Sequence, residues 1–220
     1  MKHPFAIFDM DGTLVDSMGY WTRLADEYLT RRGLAPLSPE LREESIALTM
    51  QGTSELFIRE YGLTSTPEEI AGEINALMEE HYRTDISLKP GAAACLERMK
   101  AAGCRMCVVS STAPYLLDIC LRRLGVRDYF EFLMSCEEVG VGKDHPDAYL
   151  EAARRLGGTP DDTVIFEDIL VAARTAKKAG FTLGVIYDVN SDAEQPQLKQ
   201  LADCHFTRWD DKEPLAWLDV

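Results

Sequence analysis

Five short apolar runs dominate the chain, and four of them lead into polar or charged residues. Phe5-Ala6-Ile7-Phe8 ends at Asp9, Met106-Cys107-Val108-Val109 at Ser110-Ser111, and Thr163-Val164-Ile165-Phe166 at Glu167-Asp168. A run from Phe130 to Met134 precedes a loop with Lys143, and a further run spans Phe181 to Ile186. Uninterrupted apolar runs of this length suit parallel strands buried on both faces. Between them lie helical stretches at about 91–102 and 114–124, one opened by His145-Pro146 through Leu150 and Ala153, and one ending at Ala179-Gly180. Strands alternating with helices predict an α/β fold, a doubly wound, Rossmann-like parallel sheet. Right-handed crossovers place the helices on both faces. Ligands of such sheets bind beyond the carboxyl ends of the strands, where the polar residues fall here.

Residues 17–85 read differently. Trp21, Leu24, Ala25, Tyr28 and Leu29 recur at helical spacing. Ser38-Pro39 is an N-cap followed by proline at N1, opening a second helix through Leu41 and Leu48. Gly52 is expected to interrupt, with a short third helix from Ser54 to Tyr61. Thr66-Pro67-Glu68-Glu69 is a capping box that starts a fourth helix carrying Ile70, Ile74, Leu77 and Met78. With no strand pattern, this segment is expected to be a small α-helical domain (17–85) inserted into an α/β core (1–16 and 86–220).

The chain of 220 residues is long enough for both. It carries 23 basic against 37 acidic residues, a net charge of −14. Such a surface repels nucleic acid and anionic membranes, so neither is expected as a partner. It also repels phosphate, so any phosphate site must be locally positive. No apolar run reaches the length of a membrane span, and the first strand begins too early for a signal peptide, so a cytoplasmic setting is expected. Cys104-Arg105-Met106-Cys107 has CxxC spacing, but no second pair exists, and the segment reads as a buried strand in which cysteine acts as a small hydrophobe.

Asp9-Met10-Asp11-Gly12 taken alone fits a calcium loop or a plain turn. The calcium reading lacks further oxygen ligands and a distal Glu at the required spacing. In its context, Phe8-Asp9-Met10-Asp11-Gly12-Thr13-Leu14-Val15-Asp16-Ser17 resembles the signature of the haloacid dehalogenase superfamily of phosphohydrolases. Val108-Val109-Ser110-Ser111, Gly142-Lys143 and Phe166-Glu167-Asp168 resemble its later motifs, and the helical insert resembles its cap. The resemblance implies a Mg2+-dependent phosphatase acting on a small phosphorylated metabolite. Asp9 is then the nucleophile forming an aspartyl phosphate, and Asp11 the general acid and base. Ser110, with Gly12 and Ser111, holds the phosphoryl group, and Lys143 neutralises it. Asp9, Asp11, Glu167 and Asp168 are the candidate metal ligands. Glu167 has a second reading, as a loop-shaping acid bonded to the lysine. Ile169, Ala172 and Asp144 depart from the family pattern and bear on loop shape, leaving every charged group in place.

In the insert, Tyr20 and Trp21 are either core aromatics or substrate contacts. Gln51 and Thr53 either face a leaving group or form a plain turn. His81, His145 and His205 lack metal-ligand spacing and read as surface or packing residues. A sugar-phosphate mutase is the alternative function, disfavoured because Trp21 and Glu55 stand where such mutases carry histidine and arginine. A catalytically inactive binding module is a third reading, set against the full complement of charged groups. A monomer suffices for this chemistry, a weak homo-oligomer being the alternative.

Overall fold

The computed structural model describes residues 3–46, 48, 50–211 and 216–219. Among these, six strands form a single all-parallel sheet: β1 (Phe5–Phe8), β2 (Arg105–Ser110), β3 (Phe130–Ser135), β4 (Thr163–Glu167), β5 (Thr182–Ile186) and β6 (Cys204–Phe206). Their order is β3-β2-β1-β4-β5-β6. The chain builds outward from β1 to β3, then crosses back to place β4 on the other side of β1. The switch point is therefore between β1 and β4. Phe8 stands opposite Val108 on one side and Phe166 on the other, so the ends of β1, β2 and β4 lie close together.

The helices beside the sheet are α5 (Ala92–Ala101), α6 (Pro114–Arg123), α7 (Asp147–Leu156), α8 (Leu170–Lys178) and α9 (Gln195–Leu201). Side-chain alternation along the strands separates two layers of core. Ile7, Cys107, Val109, Ile165, Leu183 and Val185 are buried in one cluster with the alanine-rich faces of α7 and α8. Phe8 and Phe166, at the alternate positions, instead stack on each other at 4.7 Å and meet Trp209 at 5.7 and 5.0 Å. The expected doubly wound α/β fold is the one observed. β6 and α9 were not read from the sequence, because three residues of mixed polarity carry no apolar run. The CxxC segment runs into β2, where Cys107 is fully buried and burial pushes its thiol up, and the six cysteines form no disulfide.

The chain divides into two compact units, residues 1–17 with 86–220, and 18–85. The second consists of α1 (Met18–Arg31), α2 (Pro39–Ile46), α3 (Met50–Tyr61) and α4 (Pro67–Thr84). Leu24, Tyr28, Leu29, Leu56, Phe57, Ile70, Ile74 and Met78 form its buried side, with the Tyr28 and Phe57 rings stacked at 5.8 Å. The capping box of α4 is present in full: Thr66 Oγ1 accepts from the Glu69 amide at 3.2 Å, and Glu69 Oε2 from the Thr66 amide at 2.8 Å. Two boundaries differ from expectation. α2 stops at Ile46, leaving Leu48 outside it, and α3 begins at Met50 and runs through Gly52. Glycine weakens a helix by about 1 kcal/mol. Here it sits in the first turn, where a Cβ would lie only 3.2 Å from Leu48 Cβ, so the tight entry into α3 makes use of its small size.

Candidate active site

The site grows from the end of β1. Ala6, Ile7 and Phe8 are fully buried, and pairing with β4 continues one residue beyond the strand, the Asp9 amide donating to Phe166 O at 3.0 Å. Asp9 is thereby fixed beside Glu167 and Asp168 at the switch point. Oxygens of these three buried acids lie within 4.8 Å of one another. Lys143, itself buried, donates to Asp9 Oδ1 and, at 2.6 Å, to Glu167 Oε1.

After Met10 the backbone turns sharply. The amides of Leu14 and Val15 both return to Met10 O, at 2.9 and 3.0 Å, and Gly12 takes φ +86°, a conformation costly to any residue with a Cβ. This turn separates the two aspartates. Asp9 faces the acids and the lysine, whereas the Asp11 carboxylate is held by hydroxyls. Ser17 donates to Asp11 Oδ1 at 2.6 Å and Thr112 to Oδ2 at 2.9 Å. Among the described residues, Asp11 is not part of the converging acid group. Thr13, fully buried, donates its hydroxyl to Asp168 Oδ1 at 2.9 Å.

One ammonium thus faces three buried carboxylates. Burial is the largest influence on Asp9 and raises its carboxyl; Lys143 opposes this, Glu167 and Asp11 add to it, and the result is about 7. Burial, then Asp9 and Glu167, push Asp168 well above the usual carboxylate range. For Lys143, burial favours the neutral amine, but Asp9 and Glu167 outweigh it and hold the ammonium above its ordinary value. The surplus of negative charge, all from hard oxygen donors, suits a divalent cation. Glu167 gives the specific sign of fit. Its Oε1 accepts from Lys143 and from the Tyr149 hydroxyl, each at 2.6 Å, while its Oε2 is buried with no hydrogen-bond partner. An ionised oxygen left that way is costly unless a cation faces it. The two sequence readings of Glu167 are therefore compatible: one oxygen bonds the lysine, and the other is open to a metal.

The remaining candidates are dispersed. Ser110 is buried at the end of β2, its hydroxyl accepting from the Thr112 amide at 3.1 Å. Ser111 is exposed and borders a cavity of about 430 Å³ with Cys136 and Gly142, next to Lys143. Within the helical unit, Trp21 is half-buried and lines a cavity of about 500 Å³ with Leu24, Leu37, Met50 and Thr53. Gln51 is exposed on the first turn of α3, its amide reaching Glu55 at 3.3 Å. His81, expected at the surface or as simple packing, is buried between two carboxylates: Nδ1 lies 2.8 Å from Asp85 and Nε2 2.7 Å from Glu27. Thr112, Ser17, Thr13 and Tyr149 escaped the sequence reading. A lone hydroxyl has no pattern, and only Ser17 and Thr13 fell inside a recognised motif.

A parallel sheet with these groups at its switch point, and a helical unit following the first strand, defines a hydrolase of the haloacid dehalogenase type. The chain belongs to that family: the description "haloacid dehalogenase-like hydrolase" matches residues 5–180. It is 30% identical to hexitol phosphatase A of Escherichia coli over 197 residues, 89% of this chain and 87% of the relative. It is also 30% identical to phosphoglycolate phosphatase of Rhodobacter capsulatus, over 84% of each chain. The fold is shared with CbbY of Rhodobacter sphaeroides, solved in complex with phosphate, at a TM-score of 0.79 and 24% identity over 99% of this chain and 100% of that one. No helix among the described residues is long and apolar enough to cross a membrane.

Proposed function

We propose that this protein is a Mg2+-dependent phosphatase that hydrolyses a small sugar or polyol phosphate, or a similar phosphomonoester, through a phosphorylated Asp9. The observation that carries the reading is the division of labour between the two aspartates. Asp9 sits with Lys143 and the acids Glu167 and Asp168, whereas Asp11 is held apart by Ser17 and Thr112. Asp9 attacks phosphorus and displaces the leaving oxygen, which takes a proton from Asp11. Asp11 then removes a proton from the water that attacks the aspartyl phosphate, and inorganic phosphate leaves. Lys143 offsets charge on the phosphoryl oxygens, assisted by the Ser110 hydroxyl. Asp9, Glu167 and Asp168 would hold Mg2+, which supplies the positive charge that lets a carboxylate approach a dianionic phosphate.

The substrate class follows the relatives, which are named for hexitol phosphates, phosphoglycolate and, in a 25% identical protein of Thermotoga maritima, phosphorylated carbohydrates. A mutase is disfavoured because Trp21 and Glu55 stand in the sequence where mutases of this type carry histidine and arginine, and a glutamate repels a second phosphate. We assign a cytoplasmic setting, which six cysteines without a disulfide suit.

The test is phosphate release from a panel of hexitol, hexose and glycolate phosphates, with Mg2+ and with chelator. Wild type should release phosphate only with the metal. Asp9→Asn, close in volume but a far weaker nucleophile, should lose at least roughly 10³-fold in kcat while keeping its fold by circular dichroism. Retained turnover in that variant, or in chelator, overturns the reading. A hexose 6-phosphate accumulating from the 1-phosphate faster than free phosphate turns the assignment to the mutase.

A further inference from the structure

We infer that Trp209 is a positioning residue for the metal-binding acid Asp168, acting from a C-terminal segment outside residues 5–180, to which the family match is confined. The inference rests on the proposed metal role of Asp168. The Trp209 indole Nε1–H donates to the main-chain carbonyl of Thr13 at 3.0 Å, in a buried contact between residues 196 positions apart. The hydroxyl of the same Thr13 donates to Asp168 Oδ1 at 2.9 Å. An unbroken hydrogen-bonded path therefore runs from the indole through Thr13 to the acid. All three residues are buried: Trp209 is 1% exposed, Thr13 0% and Asp168 2%.

The ring reinforces that path. Trp209 packs on Phe8 and Phe166, the residues that precede Asp9 and Glu167, at 5.7 and 5.0 Å between ring centroids, and on Phe206 at 5.5 Å. It thus braces from beneath the two strand ends that carry the acids. Trp209 is itself fixed where the chain re-enters the core. Its amide donates to Pro90 O at 3.1 Å, and Gly91, at φ +83°, lies so close that a Cβ there would approach the Asp210 amide nitrogen to 2.5 Å. Only glycine admits this approach. A buried indole N–H needs an acceptor, and the one it takes here is the carbonyl of Thr13 in the catalytic turn, so the ring and its N–H together tie that turn to the C-terminal segment. The turn from Met10 to Val15 is closed by its own amides, and Trp209 supplies a side-chain donor to it from outside. When Thr13 loses that donor its hydroxyl swings more freely, and Asp168 loses its fixed orientation toward the cation.

The experiment compares Mg2+ binding by calorimetry in wild type, Trp209→Phe and Thr13→Val, together with thermal unfolding. Trp209→Phe keeps an aromatic ring and removes the N–H. We expect it to weaken Mg2+ binding about 3- to 10-fold, with KM for the phosphate ester nearly unchanged at saturating metal. Thr13→Val should weaken binding at least as much. In the double variant the losses should not multiply, since both act through Asp168. If Trp209→Phe does not fold, benzothienylalanine at 209, which replaces the N–H by sulfur in a ring of the same shape, gives the same comparison without loss of volume. A lowered melting temperature with unchanged Mg2+ affinity means that Trp209 only packs, and overturns this inference alone. Wild type that binds no Mg2+ overturns it together with the metal assignment.

Discussion

The Tyr149 hydroxyl donates to Glu167 Oε1 at 2.6 Å, on the oxygen that also receives Lys143. Both residues are fully buried, and burial followed by the Glu167 charge holds the tyrosine well above its ordinary value, so it remains a donor. A helix of the core thereby reaches the acid at the end of β4. Tyr149→Phe removes one hydrogen bond to a buried charge, worth about 1.5–3 kcal/mol. The unfolding free energy from urea titration should fall by about that amount. A change within about 0.5 kcal/mol would mean that Lys143 alone satisfies Glu167 Oε1.

Asp11 is gripped by Ser17 and Thr112 and stands apart from the acid group, which suits proton transfer. Asp11→Asn should therefore discriminate between leaving groups. With a sugar or polyol phosphate, whose alkoxide needs a proton, kcat should drop on the order of 10²–10⁴-fold. With an aryl phosphate the first step should stay fast and hydrolysis of the phosphoenzyme should slow. Rapid mixing then shows a burst of aryl alcohol followed by a slow steady rate. Equal losses without a burst would remove Asp11 from the acid role.

In the helical unit, His81 lies between Glu27 and Asp85, with the Tyr20 ring at 4.6 Å. Burial favours the neutral imidazole, but the hydrogen bonds that the ring donates to Glu27 and Asp85 outweigh it and raise the group above its ordinary value of 6.5. A group whose folded-state value is raised stabilises fully below the unfolded value and loses that contribution as pH rises through the folded one. The urea midpoint should accordingly decline as pH rises above the ordinary imidazole value of 6.5. His81→Gln should flatten the decline and lower the midpoint chiefly on the acid side. An identical pH profile in both proteins would show that the cluster carries no linked proton.

Trp21 and Gln51 are read from the sequence as either substrate contacts or structural residues of the helical unit. Trp21 lines an apolar cavity and Gln51 is exposed. Trp21→Ala and Gln51→Ala should alter the ratio of kcat/KM among hexitol, hexose and glycolate phosphates by roughly 10-fold or more, while a small aryl phosphate changes less. Uniform losses across the panel would mark both as structural.

Much of this was legible before any coordinates. Asp9, Glu167 and Asp168 stood out because each follows an apolar run that reads as a buried strand, and strand ends on a parallel sheet share one edge; Lys143, in a loop beyond its run, was singled out by the order of the family motifs it resembles. The capping box at Thr66 was equally plain, because its hydrogen bonds are local and repeat a fixed spacing. The pairing of His81 with Glu27 was not read for the opposite reason: Glu27 lies 54 residues away, and nothing around either residue announces it.

By itself, the sequence determined the strand and helix alternation, the parallel sheet, the helical insert and the identity of the acids. These depend on periodicity and on short motifs, which act over a few residues. Only the tertiary structure decided that Asp11 is held by Ser17 and Thr112 and not within the close group of three acids, that Glu167 gives one oxygen to Lys143 and Tyr149 and keeps the other bare, and that Trp209 reaches Thr13. Most of these contacts join residues about 20 to 200 positions apart. Hydrogen bonds of that kind are set by the crossing of β4 beside β1 and by chain packing, and a single hydroxyl or indole leaves no trace in the local pattern from which they could be inferred.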